Sequence, residues 1–373
     1  MVYLMREDLQ MSHKSTPDES VETQPLVSVI MTTYNGTAYL QETIDSILRQ
    51  SLANFEFIII DDCSTDDTAK LIATYRDPRI VFVRNSKNQG ISESRNAGLH
   101  MARGEFLAMT DQDDVSEPER LERQVRFLQQ NSDVSVVASR VYLIRKGVRK
   151  DDPMPVQSGS VVIHFALYLG RHNTTYSSLC LRKAFVVENN LYFKKQFLYA
   201  EDYELCSRIA ECGRFAILPE SLVSYRLHEG NNSTLHYDEM TKNGAAFMGE
   251  CYSRELGRPV GESEARRIWR GIIEKQTPAS IDELRCLGRL MTELTERFAA
   301  RNAQSPAELH AINVLAAQIW HEIVDRSLGG LGQAADKVRE EFVRLQAWTP
   351  SGLARMKSRA VGVISGYRAR QRI

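Results

Sequence analysis

The residues in this 373-residue chain whose grouping could do chemistry are carboxylates. They fall in three clusters: Asp61-Asp62, Asp111-Gln112-Asp113-Asp114 and Glu201-Asp202. Carboxylates held close together repel one another unless a cation or hydrogen-bond donors compensate. Asp-x-Asp offers hard oxygen ligands suited to Mg2+ or Mn2+, ions that keep positions open for phosphate oxygens. A carboxylate at a helix start, such as Asp202, can also cap the helix or take a proton as a general base. Aspartate favours turns for purely local reasons. The setting the three clusters share therefore carries more weight than any one of them.

That setting is a series of strands. LVSVIMT (26–32) is a short apolar run of the kind buried on both faces of a parallel sheet. FEFIII (55–60) runs into Asp61-Asp62, and EFLAMT (105–110) runs into Asp111. Between them Leu40, Ile44, Ile47 and Leu48 recur at helical spacing, a helix runs towards Tyr75, Ile80 to Val83 reads as a strand, and another helix passes through Leu99. Ser116, Pro118 and Glu119 predict a capping box for the helix carrying Leu121, Val125 and Leu128. Such alternation predicts an α/β fold with a mostly parallel sheet, in which ligands bind beyond the carboxyl ends of the strands. Past Asp151 the rhythm loosens. An apolar helix near 161–169, a strand near 178–181, a helix through Val187, a helix from Glu201 to Cys212 and strands near 215–218 and 222–227 are expected. From Tyr237 the pattern is helical, with starts at Ser280/Glu283 and at Ser305/Pro306/Glu308.

With these residues in view, the chain resembles the family 2 glycosyltransferases of GT-A fold. The resemblance rests on VSVIMTTYNG (27–36), IIIDDCSTDDT (58–68), NQGISESRNAGLHMARGEFLAMTDQDD (88–114), AEDYEL (200–205) and YRLH (225–228), which fall in the family's order and spacing. It covers about residues 26–235. No GxGxxG follows the first strand, which disfavours a dinucleotide-binding dehydrogenase. A sugar nucleotidyltransferase is a second reading, but the loop TTYNGT (32–37) lacks the Lys or Arg such an enzyme places there. A non-catalytic nucleotide-sugar or glycan-binding module is a third, against which stand intact Asp113 and Asp202.

The resemblance implies roles for matching positions. Thr32, Thr33 and Tyr34 would line the base pocket, and Asp62 would accept a hydrogen bond from the base, which suits uracil. Arg95 would approach the diphosphate, Asp111 would bind ribose hydroxyls, and Asp113 would hold the Mg2+ or Mn2+ ion, with His228 within reach of it. Asp114 would order the loop through backbone N–H groups. Asp202 would be the base of an inverting displacement, with Glu201 orienting it or an acceptor hydroxyl. The implied partners are a nucleotide-sugar donor, UDP-linked in preference, and a glycan or lipid-linked acceptor of bacterial surface polysaccharide.

Composition bounds the rest. Lys plus Arg number 47 and Asp plus Glu 48, a formal net charge of −1, which gives no bulk attraction to nucleic acid. The six cysteines form no CxxC pair, as expected of free thiols in a reducing compartment. The N-terminus has no apolar core of a secretory signal, and no apolar run approaches the roughly 18 residues of a membrane span. The chain therefore reads as cytoplasmic. Expected segments are a disordered tail (1–24), a catalytic domain (25–236), a helical domain (237–349) and a basic tail (350–373). Residues 342–373 carry seven basic residues and no acid, which suggests peripheral contact with the inner face of a membrane through that tail.

Overall fold

A computed structural model describes residues 24–154, 156–171 and 174–342. The basic tail and nearly all of the N-terminal tail lie outside the described residues. The first part alternates as expected: β1 (Val27–Thr33), α1 (Leu40–Leu48), β2 (Phe55–Asp61), α2 (Thr68–Ile72), β3 (Ile80–Arg84), α3 (Ile91–Met101), β4 (Phe106–Thr110), β5 (Val115–Ser116) and α4 (Arg120–Gln130). There follow β6 (Val136–Arg145), β7 (Val148–Asp151), α5 (Ser160–Tyr168), β8 (Cys180–Arg182), α6 (Lys183–Glu188), α7 (Glu201–Cys212) and β9 (Phe215–Leu227). The rest is helical: α8 (Asn232–Leu235), α9 (Tyr237–Leu256), α10 (Glu262–Ile268), α11 (Ile281–Asn302), α12 (Pro306–Leu331) and α13 (Gln333–Glu341). Ser280 and Ser305 cap α11 and α12 by accepting from the backbone N–H of Glu283 and Glu308, as their spacing predicts.

The nine strands form one sheet in the order β3-β2-β1-β4-β8-β6-β9-β5, with β7 on β6. Strands β1 to β4 pair in parallel; β8 is antiparallel to both β4 and β6, and β6 is parallel to β9. Hence β1, β2, β3, β4, β6 and β9 all point one way, and their carboxyl ends share one edge of the molecule. Every residue of β1 and of β2 is buried, which explains why both read as unbroken apolar runs. One core cluster joins Val27, Val29 and Met31 to α1 and α4. The other joins Ile30, Ile58 and Met109 to α5 and to the helices beyond Tyr237, including Met248, Phe298 and Trp320.

Two local expectations are corrected, and one hairpin is added. The two strands near 215–218 and 222–227 are one strand, β9, whose pairing with β6 jumps from Ser139↔Leu218 to Arg140↔Ser221. Pro219 falls in that jump, where its missing N–H removes no ladder bond. The hairpin β6–β7 was not foreseen, because polar residues interrupt its apolar run. The capping box at Ser116 does not form: Ser116 lies in β5, and its hydroxyl accepts from the Arg120 guanidinium at 2.9 Å.

Gly104 shows how tightly β1 and β4 are tied. Its N–H donates to Ser28 Oγ at 2.8 Å, and that hydroxyl donates to the buried Glu56 carboxylate at 2.6 Å. A Cβ on Gly104 would stand 2.5 Å from the Ser28 backbone nitrogen and 2.7 Å from the Val27 carbonyl carbon. Backbone cannot yield as a side chain does. Gly104→Ala should therefore lower stability by about 1–3 kcal/mol, read as a lower urea midpoint; an unchanged midpoint would contradict this packing.

Candidate active site

The carboxyl edge of the sheet gathers most of the clusters predicted from sequence. Asp61 ends β2, Asp111 to Asp114 follow β4, and His228 follows β9. Glu201 and Asp202 open α7, whose first turn also carries Glu204. A helix N-terminus favours negative charge, so three acids can stand there together.

Asp62 is buried and already well used. Its carboxylate accepts from Asn85 Nδ2 at 2.8 Å, Gln89 N at 2.9 Å and Gly90 N at 2.8 Å. A carboxylate has about four lone-pair sites, so it keeps room for one further donor. These bonds fix the turn into α3, where Gly90 takes φ 90°, a conformation few side chains tolerate.

That turn sets α3, and α3 carries Arg95. The Arg95 side chain is 5% exposed and bridges two clusters, with Nη2 2.9 Å from Asp111 Oδ1 and Nη1 2.8 Å from Glu201 Oε1. Its guanidinium lies 3.6 Å from the centre of the Tyr176 ring, with Phe193 at 5.4 Å. Burial pushes Asp111 up to about 6, against the opposing pull of Arg95. Burial likewise pushes Glu201 up to about 7, again opposed by Arg95, with Asp202 adding to the rise. Glu201 Oε2 is buried without a hydrogen-bond partner. Arg95 was expected near a diphosphate; in the structure it pairs with the Asp111 and Glu201 carboxylates.

The loop after β4 is held at every residue. Asp111 N donates to Ser177 Oγ at 2.9 Å. Gln112 Oε1 accepts from Thr33 Oγ1 at 2.6 Å and Tyr34 N at 3.0 Å. Thr43 Oγ1 donates to the carbonyls of Gln112 and Asp114. Asp114 Oδ1 accepts from the Arg226 backbone N–H at 3.0 Å, which is the loop-ordering role expected of it. Burial, with the charges of Asp113 and Asp111, holds Asp114 well above the usual carboxylate range. Thr32 and Thr33 are both buried, whereas Tyr34 is 46% exposed. Of the three, Tyr34 offers a ligand the most surface.

Asp113 faces His228. The imidazole Nε2 lies 2.9 Å from Asp113 Oδ2, and Asn231 Nδ2 donates to the same oxygen at 3.3 Å. Gly230 N–H donates to His228 Nδ1 at 3.1 Å, which puts the proton of a neutral ring on Nε2. In this arrangement His228 donates through Nε2 to Asp113. Among the described residues no three His, Cys, Asp or Glu side chains are grouped to hold a metal ion. A hard cation bound by one carboxylate plus substrate phosphates needs no such group, and Asp113, partly open to solvent, fits that use.

Two residues that sequence reading missed support the site. Arg120 is fully buried and donates to the Met109 carbonyl at 2.6 Å and to Ser116, under the loop of acids. Burial brings its pKa down to about 10. Arg226 donates through Nε to the Asp113 carbonyl at 2.9 Å and lies over the Tyr39 ring. The tyrosine–arginine pair before His228 was the only sequence signal for Arg226, and nothing marked Arg120.

Arg95→Met should leave Asp111 and Glu201 buried without their cation. A loss of about 3–5 kcal/mol is expected, measured by denaturant unfolding; a loss under ~1 kcal/mol would show the bridge to be unimportant. Glu201 binds a proton on folding because its folded pKa stands above the ordinary 4.5. Its contribution is complete below pH 4.5 and fades as pH rises towards 7. Glu201→Gln should therefore flatten the fall of stability across that window, and an unaltered pH profile would refute the assignment.

The model of the family described as "Glycosyl transferase family 2" matches residues 28–186. An uncharacterized glycosyltransferase of Haemophilus influenzae is 32% identical over 253 residues, 64% of this chain and 76% of that protein. The succinoglycan biosynthesis protein ExoO of Rhizobium meliloti is 27% identical over 321 residues, 81% of this chain and 90% of that protein. The UDP-Glc:alpha-D-GlcNAc-diphosphoundecaprenol beta-1,3-glucosyltransferase WfaP of Escherichia coli is 31% identical over 219 residues, 58% of this chain and 83% of that protein. The crystal structure of S. aureus TarS 1-349 in complex with UDP-GlcNAc superposes with TM-score 0.53 at 19% identity, covering 84% of this chain and 92% of that one. That likeness gives the GT-A fold, and with the sequence matches it means that the chain belongs to glycosyl transferase family 2.

Proposed function

We propose that this glycosyltransferase moves a sugar, with inversion, from a UDP-sugar to a hydroxyl of a glycan or lipid-linked acceptor in the assembly of bacterial surface polysaccharide. The observation that carries this reading is the Arg95 bridge from Asp111 to Glu201, which ties the donor-side acids to the pair that contains Asp202. Glu201 is buried with Oε1 on Arg95, which leaves Asp202 as the carboxylate open to an acceptor. One carboxylate taking the acceptor proton, with no second one free as a nucleophile, gives displacement with inversion. The relative named for a UDP-Glc donor and a diphosphoundecaprenol-linked acceptor, and the one named for succinoglycan biosynthesis, support the choice of substrates.

A divalent cation, Mg2+ or Mn2+, would supply charge neutralisation of the leaving diphosphate. Asp113 would hold it, and His228 with Asn231 would fix the carboxylate; His228 ligates directly only if Gly230 releases Nδ1. Tyr34 and the remaining lone pair of Asp62 would meet the base, and Asp111 the ribose.

Two variants test the roles. Asp202→Asn should lose about 100- to 10,000-fold in turnover with donor affinity unchanged, measured by initial rates over a panel of nucleotide sugars. A collapse of donor affinity instead would make Asp202 a binding residue. Asp113→Ala should abolish the thermal shift that Mn2+ adds to UDP; a retained shift would remove Asp113 from the cation site.

A further inference from the structure

The hairpin β6–β7 has no part in the site just described, yet it leaves the sheet at the site's own edge. The last pairing of β6 with β9 is Arg145 with Leu227, and His228 follows β9 directly. Beyond Arg145 the chain turns through Lys146-Gly147 and returns as β7 from Val148, paired with β6 alone. Lys146 and Gly147 have φ 48° and 75°, the left-handed pair that a two-residue hairpin turn requires. Asn or Gly is the usual first residue of such a turn; a lysine there is strained, and it puts an ammonium at the tip.

The tip is strongly charged for a chain of net −1. Arg145, Lys146, Arg149 and Lys150 stand within six residues, and Asp151 and Asp152 follow only at the stem. Arg149 is engaged, on Glu117 at 2.8 Å and over the Tyr142 ring at 3.6 Å. Arg145, Lys146 and Lys150 form no ion pair among the described residues. Between the cations Val148 is 55% exposed. Solvated cations flanking an exposed apolar residue are what a headgroup region accommodates: the charges meet lipid phosphates and the apolar group enters the boundary.

We propose that this hairpin docks the enzyme on an anionic phospholipid surface, with the carboxyl edge of the sheet turned towards the membrane. The chain as a whole is not drawn to such a surface, so this local charge sets orientation as well as attachment. Docking does not depend on which donor the enzyme uses. It would bring Asp202 to an acceptor held in the membrane.

The test is flotation of the full chain with phosphatidylcholine vesicles, with and without phosphatidylglycerol, at low salt. Wild type should float only with the anionic vesicles and be released by salt. Lys146→Glu/Lys150→Glu should bind about tenfold more weakly or worse, and Lys146→Gln/Lys150→Gln should fall between. The basic tail is present in every protein compared, so the difference reports the hairpin. An unchanged melting temperature and UDP affinity would show that the fold and donor site are intact. Equal flotation of wild type and both variants overturns the proposal. So does wild-type binding to neutral vesicles, a failure to bind either kind, or displacement by millimolar inorganic phosphate.

Discussion

The site depends on one buried cation. Arg95 holds a carboxylate from the loop after β4 with one nitrogen and a carboxylate from the first turn of α7 with another. Arg95 and Glu201 are 106 residues apart in sequence, and nothing in local structure would bring them together. A guanidinium suits the task because it is planar, stays charged when buried and offers donors in fixed directions. It is placed in turn by Asp62, whose three hydrogen bonds set the turn into α3. Asp62 thus shapes the site through the turn that carries Arg95.

Around this bridge, neighbouring acids are kept different from one another. Asp114 spends Oδ1 on a backbone N–H and is buried. Asp113 is oriented by an imidazole and an amide yet stays partly open. Asp111 is shared with Arg95. Three aspartates within four residues therefore stand in three environments. Burial, rather than chemical identity, separates the one that orders the loop from the one left partly open.

Much of this was legible in the sequence. The unbroken apolar runs of β1 and β2, the acids that follow them and the Ser-x-x-Glu starts of α11 and α12 reflect local rules, and the structure follows them. What stayed hidden was long-range. Nothing near Arg95 says that its partners lie at 111 and 201. Ser116 carries a valid capping signal, but pairing of β5 with β9 and the Arg120 guanidinium claim it instead. The strand β6 is fully buried over Val136–Ser139 and mostly half-buried beyond, so no single period marks it in the sequence. The burial of Thr32 and Thr33 depends on packing that a local pattern does not encode.

The second core cluster has a bearing on how the two halves of the chain depend on each other. Ile30 and Met109, from the centre of the sheet, belong to one apolar body with Met248, Trp269 and Trp320 from the helical half. Neither half encloses its share of that body without the other. Both tryptophans are almost wholly enclosed in that body, at 5% and 0% exposure. Their emission is thereby an optical gauge of the sheet that carries the carboxylates, although neither indole touches the site.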